Sequence, residues 1–364
     1  MKSPQDRDIG ELAAAAARFD GRLAEVKRQI RAGFAWYPYH SLANFDHLER
    51  LLCGENRRLL RLIGDDPVLD VGAGDGDVAF FLESLGCRVH AVDHPIPNHN
   101  GMAGIRALKE ALGSSVEIHA VDLDSQFALP EQQYGLVFFL GLLYHLKNPF
   151  YVLESLSKAA RYCLLSTRVM RVLPPAGVSV QESPVAYLLD QTELNSDDTN
   201  FWIFSHQGLR RLLKRTNWEV LEFLLRGESE GSDPVSRDER AFCLLRSCYA
   251  LKHCELLRGW HAPEGNGWRW TERTFSVAVP NAAGFSLRVF VPEILLSRSG
   301  ALTISAQAGQ ERLPPEIYRA SGEHTYARRL PKSGLIEFSV DPVLPPDDLD
   351  NRERGIIVSG LELN

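Results

Sequence analysis

The apolar positions of this chain fall into two textures that change near residue 270. Between residues 67 and 247, short continuous apolar runs ("VLDV", "RVHAVD", "VEIHAVD", "LVFFLGLL", "YCLLSTRV") alternate with stretches whose apolar residues recur every three or four positions ("VAFFLESLG", "GIRALKEALG", "PFYVLESLSKAA"). The first kind predicts strands, the most apolar of them buried on both faces, and the second predicts helices with one apolar stripe. Their alternation predicts an α/β fold, a doubly wound Rossmann-like sheet covered by helices on both sides. After an irregular insert over residues 173–200, "SHQGLRRLLKRTN" reads as a helix capped by Ser205. "WEVLEFLL" and "AFCLLRS" then predict a closing hairpin, separated by the polar stretch "RGESEGSDPVSRDER".

From about Trp270 the period drops to two in "FSVAV", "FSLRVFV", "ALTISAQ", "LIEFSV" and "GIIVSGLEL", which predicts an antiparallel β-sandwich. At the other end, Leu12, Phe19, Leu23, Val26 and Ile30 lie near helical spacing within Arg7–Arg31 and predict a helix. An aromatic segment broken by Pro38, "GFAWYPYHSLANFDHLERLL", follows as a lid or packing arm. The expected organisation is a helical N-terminal arm over 1–60, an α/β domain over 61–255, a linker over 256–269 and a β-sandwich over 270–364.

A length of 364 residues favours two cores over one, and 45% apolar with 24% charged residues is an ordinary globular balance. The formal charge of −7 argues against a general electrostatic grip on nucleic acid. No run approaches the roughly 18 to 20 apolar residues that span a membrane, and the charged N-terminus lacks a signal peptide's apolar core, so a cytoplasmic location is expected. The six cysteines form no CxxC pair, and the grouping Cys248, His253, Cys254 matches no standard zinc spacing, so no metal is expected.

Candidate chemistry concentrates in "VLDVGAGDGDVAFFLESLG", which sets Asp70, Gly72, Ala73, Gly74 and Gly76 between a strand and a helix. Glycines there let the backbone turn tightly and approach a ligand closely. A dinucleotide fingerprint would read GxGxxG, but its last glycine position holds Asp77. The frame DxGxGxG instead resembles the first motif of class I S-adenosylmethionine (SAM)-dependent methyltransferases. That resemblance implies SAM as cofactor, with Asp93 (followed by His94) on the ribose hydroxyls and Asp122 (followed by Leu123) near the adenine amino group. It places Gly141 and Leu142 beside the ligand at the end of the fourth strand.

The segment "GLLYHLKNP" that follows resembles the "GxLYHxxxP" stretch of the tRNA uridine carboxymethyltransferase group and its methyltransferase relatives, and "NFWIFSHQGLRRLLKRTNWEV" resembles a later helix of that group. The group's tyrosine helps hold the carboxyl of a carboxylated SAM, and Tyr144 occupies its place. No cationic partner for such a carboxyl is identifiable from sequence, so ordinary SAM is expected. His145 has two readings, a base for a substrate hydroxyl or a hydrogen-bonding residue that shapes the loop. Trp36, Tyr37, Tyr39 and His40 either cover the cofactor or pack, and His206 either starts a helix or lines the acceptor pocket. Arg210, Arg211, Lys214 and Arg215 read as a solvated helix face or an anion site.

The C-terminal stretches "GWHAPEGNGWRWTE" and "DNRERGIIVSGLEL" resemble the edges of a β-sandwich appended to enzymes of bacterial surface-polysaccharide assembly. There Asp350, Arg352 and Gly355 fit a DxRxLG pattern, while Arg354 replaces its apolar position. Trp260, Trp268 and Trp270 either stack on sugar rings or pack. The expected function is O-methylation of a sugar or other small hydroxyl acceptor in glycan or secondary-metabolite biosynthesis. Two alternatives stand beside it: tRNA wobble-uridine modification, and a non-catalytic SAM-binding scaffold with a glycan-binding sandwich.

Overall fold

A computed structural model describes residues 4–363 apart from 132, 175–176, 229–230, 249–253, 265–266, 280–282 and 331–333. It divides into two compact units, Met1–Ser247 and Cys248–Asn364. Among the described residues no helix is long and apolar enough to cross a membrane.

In the first unit, helix α1 (Ile9–Gln29) starts where the Asp8 side chain accepts the Gly10 amide at 2.9 Å, filling one of the donors a helix start leaves open. Helices α2 (Asn44–Leu51) and α3 (Leu59–Ile63) lead into β1 (Val68–Val71), α4 (Asp77–Ser84), β2 (Val89–Asp93), α5 (Ala103–Leu112) and β3 (Glu117–Ala120). Strand β4 (Tyr134–Leu140), α6 (Pro149–Ala159) and β5 (Ala160–Met170) follow. The predicted fourth strand ends three residues early, because Gly141 (φ 73°) turns the chain into a single 3-10 turn over Leu143–His145.

The insert is more ordered than its composition suggested. Strands β6 (Val172–Leu173) and β7 (Val178–Ser179) pair with each other, and β8 (Ala186–Leu188) pairs with β9 (Trp202–Ser205), which also runs beside the end of β5. Met170, Val180, Leu189, Leu194 and Ile203 give this region a small core of its own. Helix α7 (His206–Arg215) is capped by Ser205, as its sequence predicts, and the hairpin β10 (Trp218–Gly227) and β11 (Glu239–Ser247) completes the unit.

The main sheet runs β10-β11-β5-β4-β1-β2-β3, parallel from β3 to β5, with β11 and β10 added antiparallel. The alternation of side chains assigns its two faces. Leu136, Phe138, Leu164 and Phe242 pack with α1, α2, α4 and α5, while Val137, Phe139, Leu165 and Cys243 pack with α6 and α7. Winding reverses between β1 and β4, which are neighbours in the sheet although β2 and β3 intervene in sequence. Such a reversal opens a crevice at the carboxyl ends of the two strands.

Buried polar groups tie the insert to the sheet. The Glu239 carboxylate, fully buried, accepts Arg171 Nη2 at 2.6 Å, Ser232 Oγ at 2.8 Å and His206 Nε2 at 3.0 Å. His206 is thus a helix-start residue held in a structural network. Burial pushes this carboxyl up, but the donors from Arg171, Ser232 and His206 outweigh it and hold it below the usual range.

In the second unit the order is β12 (Glu255–Leu256), β13 (Arg269–Trp270), β14 (Thr274–Val279), β15 (Gly284–Val291), α8 (Glu293–Ser299), β16 (Leu302–Ala308), β17 (Glu311–Tyr318), β18 (Gly322–Arg329), β19 (Gly334–Asp341) and β20 (Ile357–Leu363). They form two antiparallel sheets, β12-β14-β19-β16-β17 and β13-β20-β15-β18, which make a sandwich. Phe275 and Phe338 stack at 4.8 Å in its core. The strands not anticipated are the two-residue β12 and β13 and the longer β17 and β18, outer strands where "ERLPPEIY" and "GEHTYARR" bury too little to show a clean apolar alternation. Trp260 donates its indole N–H to the Ser276 carbonyl at 2.9 Å and stands edge-on to Phe275, a packing role. Arg352 bridges Asp350 and Glu264 at 2.8 and 2.7 Å, so the late charged motif fastens its own loop. His253 lies outside the described residues.

One buried charge in the first unit has a consequence for stability. Asp70 in β1 is 5% exposed, and one of its carboxyl oxygens has no hydrogen-bond partner. Burial, then the Asp93 charge, pushes its carboxyl from 3.8 up to about 7, against the pull of the Ala79 amide. Between these values the folded chain keeps a proton that the unfolded chain has released, so this group makes stability fall as pH rises through that window. Asp70→Asn removes that contribution. Urea unfolding at about pH 5 and about pH 8 should show a larger loss of stability with rising pH in the wild type than in the variant. Identical losses would mean that Asp70 ionises as an ordinary surface carboxylate does.

Candidate functional site

The turn after β1 is built for close backbone approach. Gly72, Gly74 and Gly76 all take positive φ, at 72°, 58° and 83°. A β-carbon on Gly76 would lie 2.6 Å from Ile105 Cγ1, so this glycine is required for α4 to start against α5. A β-carbon on Gly74 would meet the Tyr37 ring at 3.5 Å, on the wall of a cleft.

That cleft has a volume of ≈ 500 Å³ and lies at the carboxyl ends of β1 to β4, where the winding reverses. The sequence-predicted residues Gly72, Gly74, Asp93, His94, Asp122, Leu123, Gly141, Leu142 and His145 all line it. Asp70, Ala73, Gly76 and Tyr144 do not. Asp70, Ala73 and Gly76 are buried behind the turn, where they set its shape. Tyr144 turns away from the lining toward Arg240.

Asp93 ends β2 and organises the floor. Its Oδ2 accepts the Gly74 amide at 2.8 Å and Asn98 Nδ2 at 3.0 Å, and its Oδ1 accepts the His94 amide at 2.7 Å. Burial pushes its carboxyl above the ordinary range, and these three donors only partly pull it back. Asp122, beyond β3, accepts the Asp124 amide at 3.0 Å and stands 3.6 Å from His94 Nδ1.

The N-terminal segment forms another wall. Tyr37, Pro38 and Tyr39 line the cleft, with the Tyr37 and Tyr39 rings edge to face at 5.3 Å. Burial, with smaller contributions from Tyr144, Tyr39 and Asp93, pushes the Tyr37 phenol up to about 12, so it stays protonated. The segment is held by Asp75, a residue sequence reasoning did not single out: its Oδ2 accepts the Tyr37 amide at 2.8 Å and its Oδ1 accepts Asn100 Nδ2 at 2.8 Å.

His145 lines the cleft with a defined tautomer. Its Nδ1 lies 3.1 Å from the Thr199 carbonyl and 3.0 Å from Thr199 Oγ1, and that hydroxyl spends its own proton on Asp197 Oδ1 at 2.6 Å. Both oxygens can therefore only accept from the ring, so Nδ1 carries the proton and Nε2 keeps a lone pair. Burial lowers the imidazole below its usual value, with Thr199 and Asp197 opposing the shift. Asp197 and Thr199 also line the cleft, and nothing in the aperiodic insert signalled them.

Behind Gly141, a β-carbon would find Tyr144 Oη and Arg240 Nη1 both at 3.8 Å. The Arg240 guanidinium stands over the Tyr144 ring, 5.8 Å from its centre. Arg240 enters on β11, one residue after buried Glu239, and supplies the cation beside Tyr144 that the sequence did not reveal.

Residues 45–222 match the family model described as a methyltransferase domain. No curated protein matches the chain. Among solved structures, the N-terminal domain of EvdMO1 with SAH bound is 14% identical, covering 68% of this chain and 99% of its own, with a TM-score of 0.41. A 1,6-didemethyltoxoflavin-N1-methyltransferase from Burkholderia thailandensis is 19% identical over 50% of this chain and 71% of its own, at a TM-score of 0.35. TehB from Haemophilus influenzae is 18% identical over 54% and 62%, at a TM-score of 0.36. The family match spans the glycine turn, every strand-end carboxylate of the cleft and the Tyr144-His145 segment, so this chain carries a class I SAM-dependent methyltransferase domain.

Proposed function

We propose that the cleft at the carboxyl ends of β1 to β4 holds SAM, and that the methyl goes to a hydroxyl of a sugar or another small acceptor. The observation that carries the acceptor class is the tautomer of His145, which leaves Nε2 as a lone-pair base in a wall of the cleft.

The residues fit the cofactor. Gly72 and Gly74 open space that β-carbons would occupy, and Asp93 offers acceptors for a ribose diol. A carboxylate has about four acceptor sites, and three of Asp93's are already taken by Gly74, His94 and Asn98. Asn98 lines the cleft and is the one side-chain donor of the three, its Oδ1 accepting the Asn100 and Met102 amides at 3.1 and 2.8 Å, so holding both hydroxyls requires its Nδ2 to yield. Asp122 would face the adenine end, and Tyr37 and Tyr39 would exclude water above it.

SAM supplies a methyl already activated by its sulfonium, so the chain's task is alignment more than activation. An alcohol still has to lose its proton as it attacks. His145 Nε2 takes that proton, while Thr199 and Asp197 hold the ring in place and stabilise the imidazolium. A glycan precursor is the favoured acceptor because of the C-terminal resemblance, and a chain of charge −7 does not offer tRNA a broad basic face.

A second reading rests on one observation, the Tyr144–Arg240 pair behind Gly141. A phenol and a guanidinium converging on one point suit a carboxylate, which would favour a carboxylated SAM and transfer of a carboxymethyl group. Competition calorimetry between the two forms of SAM decides it. Ordinary SAM binding at least as tightly removes this reading, and a preference for the carboxylated form that is lost in Arg240→Ala supports it.

Titration calorimetry should show SAM binding to the wild type and its loss in Asp93→Ala. In acceptor screening, His145→Ala should lower kcat for hydroxyl acceptors by about 10² to 10⁴ and leave SAM affinity unchanged. Because burial holds His145 below 6.5, the wild-type rate should be flat through neutrality and fall only in acid, as Nε2 takes a proton before the acceptor arrives. Turnover of amine acceptors alone, with His145→Ala at the wild-type rate, would sink the hydroxyl assignment.

A further inference from the structure

Away from the cleft, β2 and β3 bring together three side chains that the methyl-transfer chemistry does not use. Register pairs His90 with Glu117 and Val92 with His119, so His90, Glu117 and His119 meet across the two strands. His90 Nε2 lies 3.7 Å from Glu117 Oε1, and His119 Nε2 lies 3.7 Å from Glu117 Oε2. All three ligand atoms fall within 4.8 Å of one another.

Two features mark this as more than a chance polar cluster. His90 is 2% exposed, yet its Nε2 has no hydrogen-bond partner, and the shielded Nε2 of His119 has none either. A buried imidazole nitrogen without a partner costs free energy unless something fills the place. The other His90 nitrogen is accounted for: Nδ1 lies 3.2 Å from Tyr134 Oη, and that oxygen also accepts the Glu131 amide at 3.1 Å. If Nδ1 donates to Tyr134, Nε2 presents a lone pair toward Glu117. A protonated Nε2 would have no acceptor within hydrogen-bonding distance.

We propose that His90, Glu117 and His119 bind a zinc-class divalent cation. Two imidazoles and one carboxylate are a borderline-soft donor set that suits Zn²⁺, with three protein ligands and an open fourth position. Ligands about 2.05 Å from a tetrahedral ion stand about 3.3 Å apart, so atoms that lie within 4.8 Å of one another must draw together by side-chain rotation to close on an ion. Tyr134 supplies the outer hydrogen bond that orients a ligating histidine. The neighbouring charges Arg88 and Glu131 pair with each other at 3.0 Å and so do not oppose the ion.

The ion would cross-link β2 to β3, an end strand of the main sheet order. The carboxyl ends of these two strands carry Asp93 and lead into Asp122, so the staple would fix the spacing of the cleft's two carboxylates from outside the cleft.

The test is calorimetric titration of chelator-treated, full-length protein with ZnCl₂, on the wild type and on His119→Ala and Glu117→Gln. Both substitutions fall on the partly exposed end of an outer strand, and far-UV circular dichroism checks that each variant is folded. The expected result is one equivalent bound with micromolar or tighter affinity, weakened at least about tenfold in each folded variant. Zn²⁺ should also raise the melting temperature of the wild type by more than that of the variants. Failure of the wild type to bind one equivalent, or unchanged affinity in either folded variant, overturns the proposal. SAM titration does not enter the readout, so it fails or stands independently of the methyltransferase reading.

Discussion

The cleft depends on a single buried carboxylate in the turn after β1. Asp75, with its side chain 1% exposed, receives the Tyr37 amide, Asn100 Nδ2 and, at 3.5 Å, the Lys27 ammonium of α1. A charge taken so far out of water is tolerable only when paired and hydrogen-bonded, so each of these partners is fixed in place by the cost of leaving Asp75 alone. Their positions then determine the rest. Lys27 brings α1 against the turn and also reaches Asp77 at 3.0 Å, while the Tyr37 amide lays the aromatic segment over Gly74. Asn100 draws in the start of α5, which approaches so closely that a β-carbon on Gly104 would sit 2.0 Å from Asp75 Oδ1. One carboxylate thus welds the N-terminal arm, the glycine turn and α5 into a common wall.

This dependence explains why some of the site is readable from sequence and some is not. The glycine frame, Asp93 and Asp122 lie at strand ends in a fixed order, and the order survives in one dimension because parallel strands all end on the same edge. The two helix-covered faces are equally legible, since period and apolar content alone separate strands from helices here. What escapes is juxtaposition across the fold. Asp197 and Thr199 reach His145 from an insert without periodicity, and Arg240 reaches Tyr144 from the last strand. His90 meets Glu117 and His119 only through the register of β2 and β3, which no local spacing encodes. Asp75 was visible in the glycine frame but indistinguishable there from a turn former.

The lining polar groups divide by charge in a way that bears on chemistry. Burial drives Asp70 up to about 7 behind the turn, holds Tyr37 protonated with a value of about 12, and lowers His145. Each shift has the same leading cause and favours the neutral form. The carboxylates of the lining are Asp93 and Asp122 at the ends of β2 and β3, where the cofactor's polar nucleoside would lie, with Asp124 and Asp197 beyond them. The wall bearing His145 keeps Asp197, whose carboxyl burial pushes up but the Thr199 hydroxyl and amide hold below the usual range.

The lowered basicity of His145 constrains the acceptor. An amine acceptor would have to arrive already deprotonated, because His145, held below its ordinary basicity, is a poor group to take a proton from an ammonium. An alcohol presents a different problem. It arrives neutral and becomes strongly acidic only as its oxygen bonds to the methyl. A weak, neutral base with one nitrogen pinned to Thr199 and the other free is matched to that late proton transfer, because it need not hold the proton before the bond forms. The burial that makes His145 a poor general buffer is therefore the property that suits it to a hydroxyl.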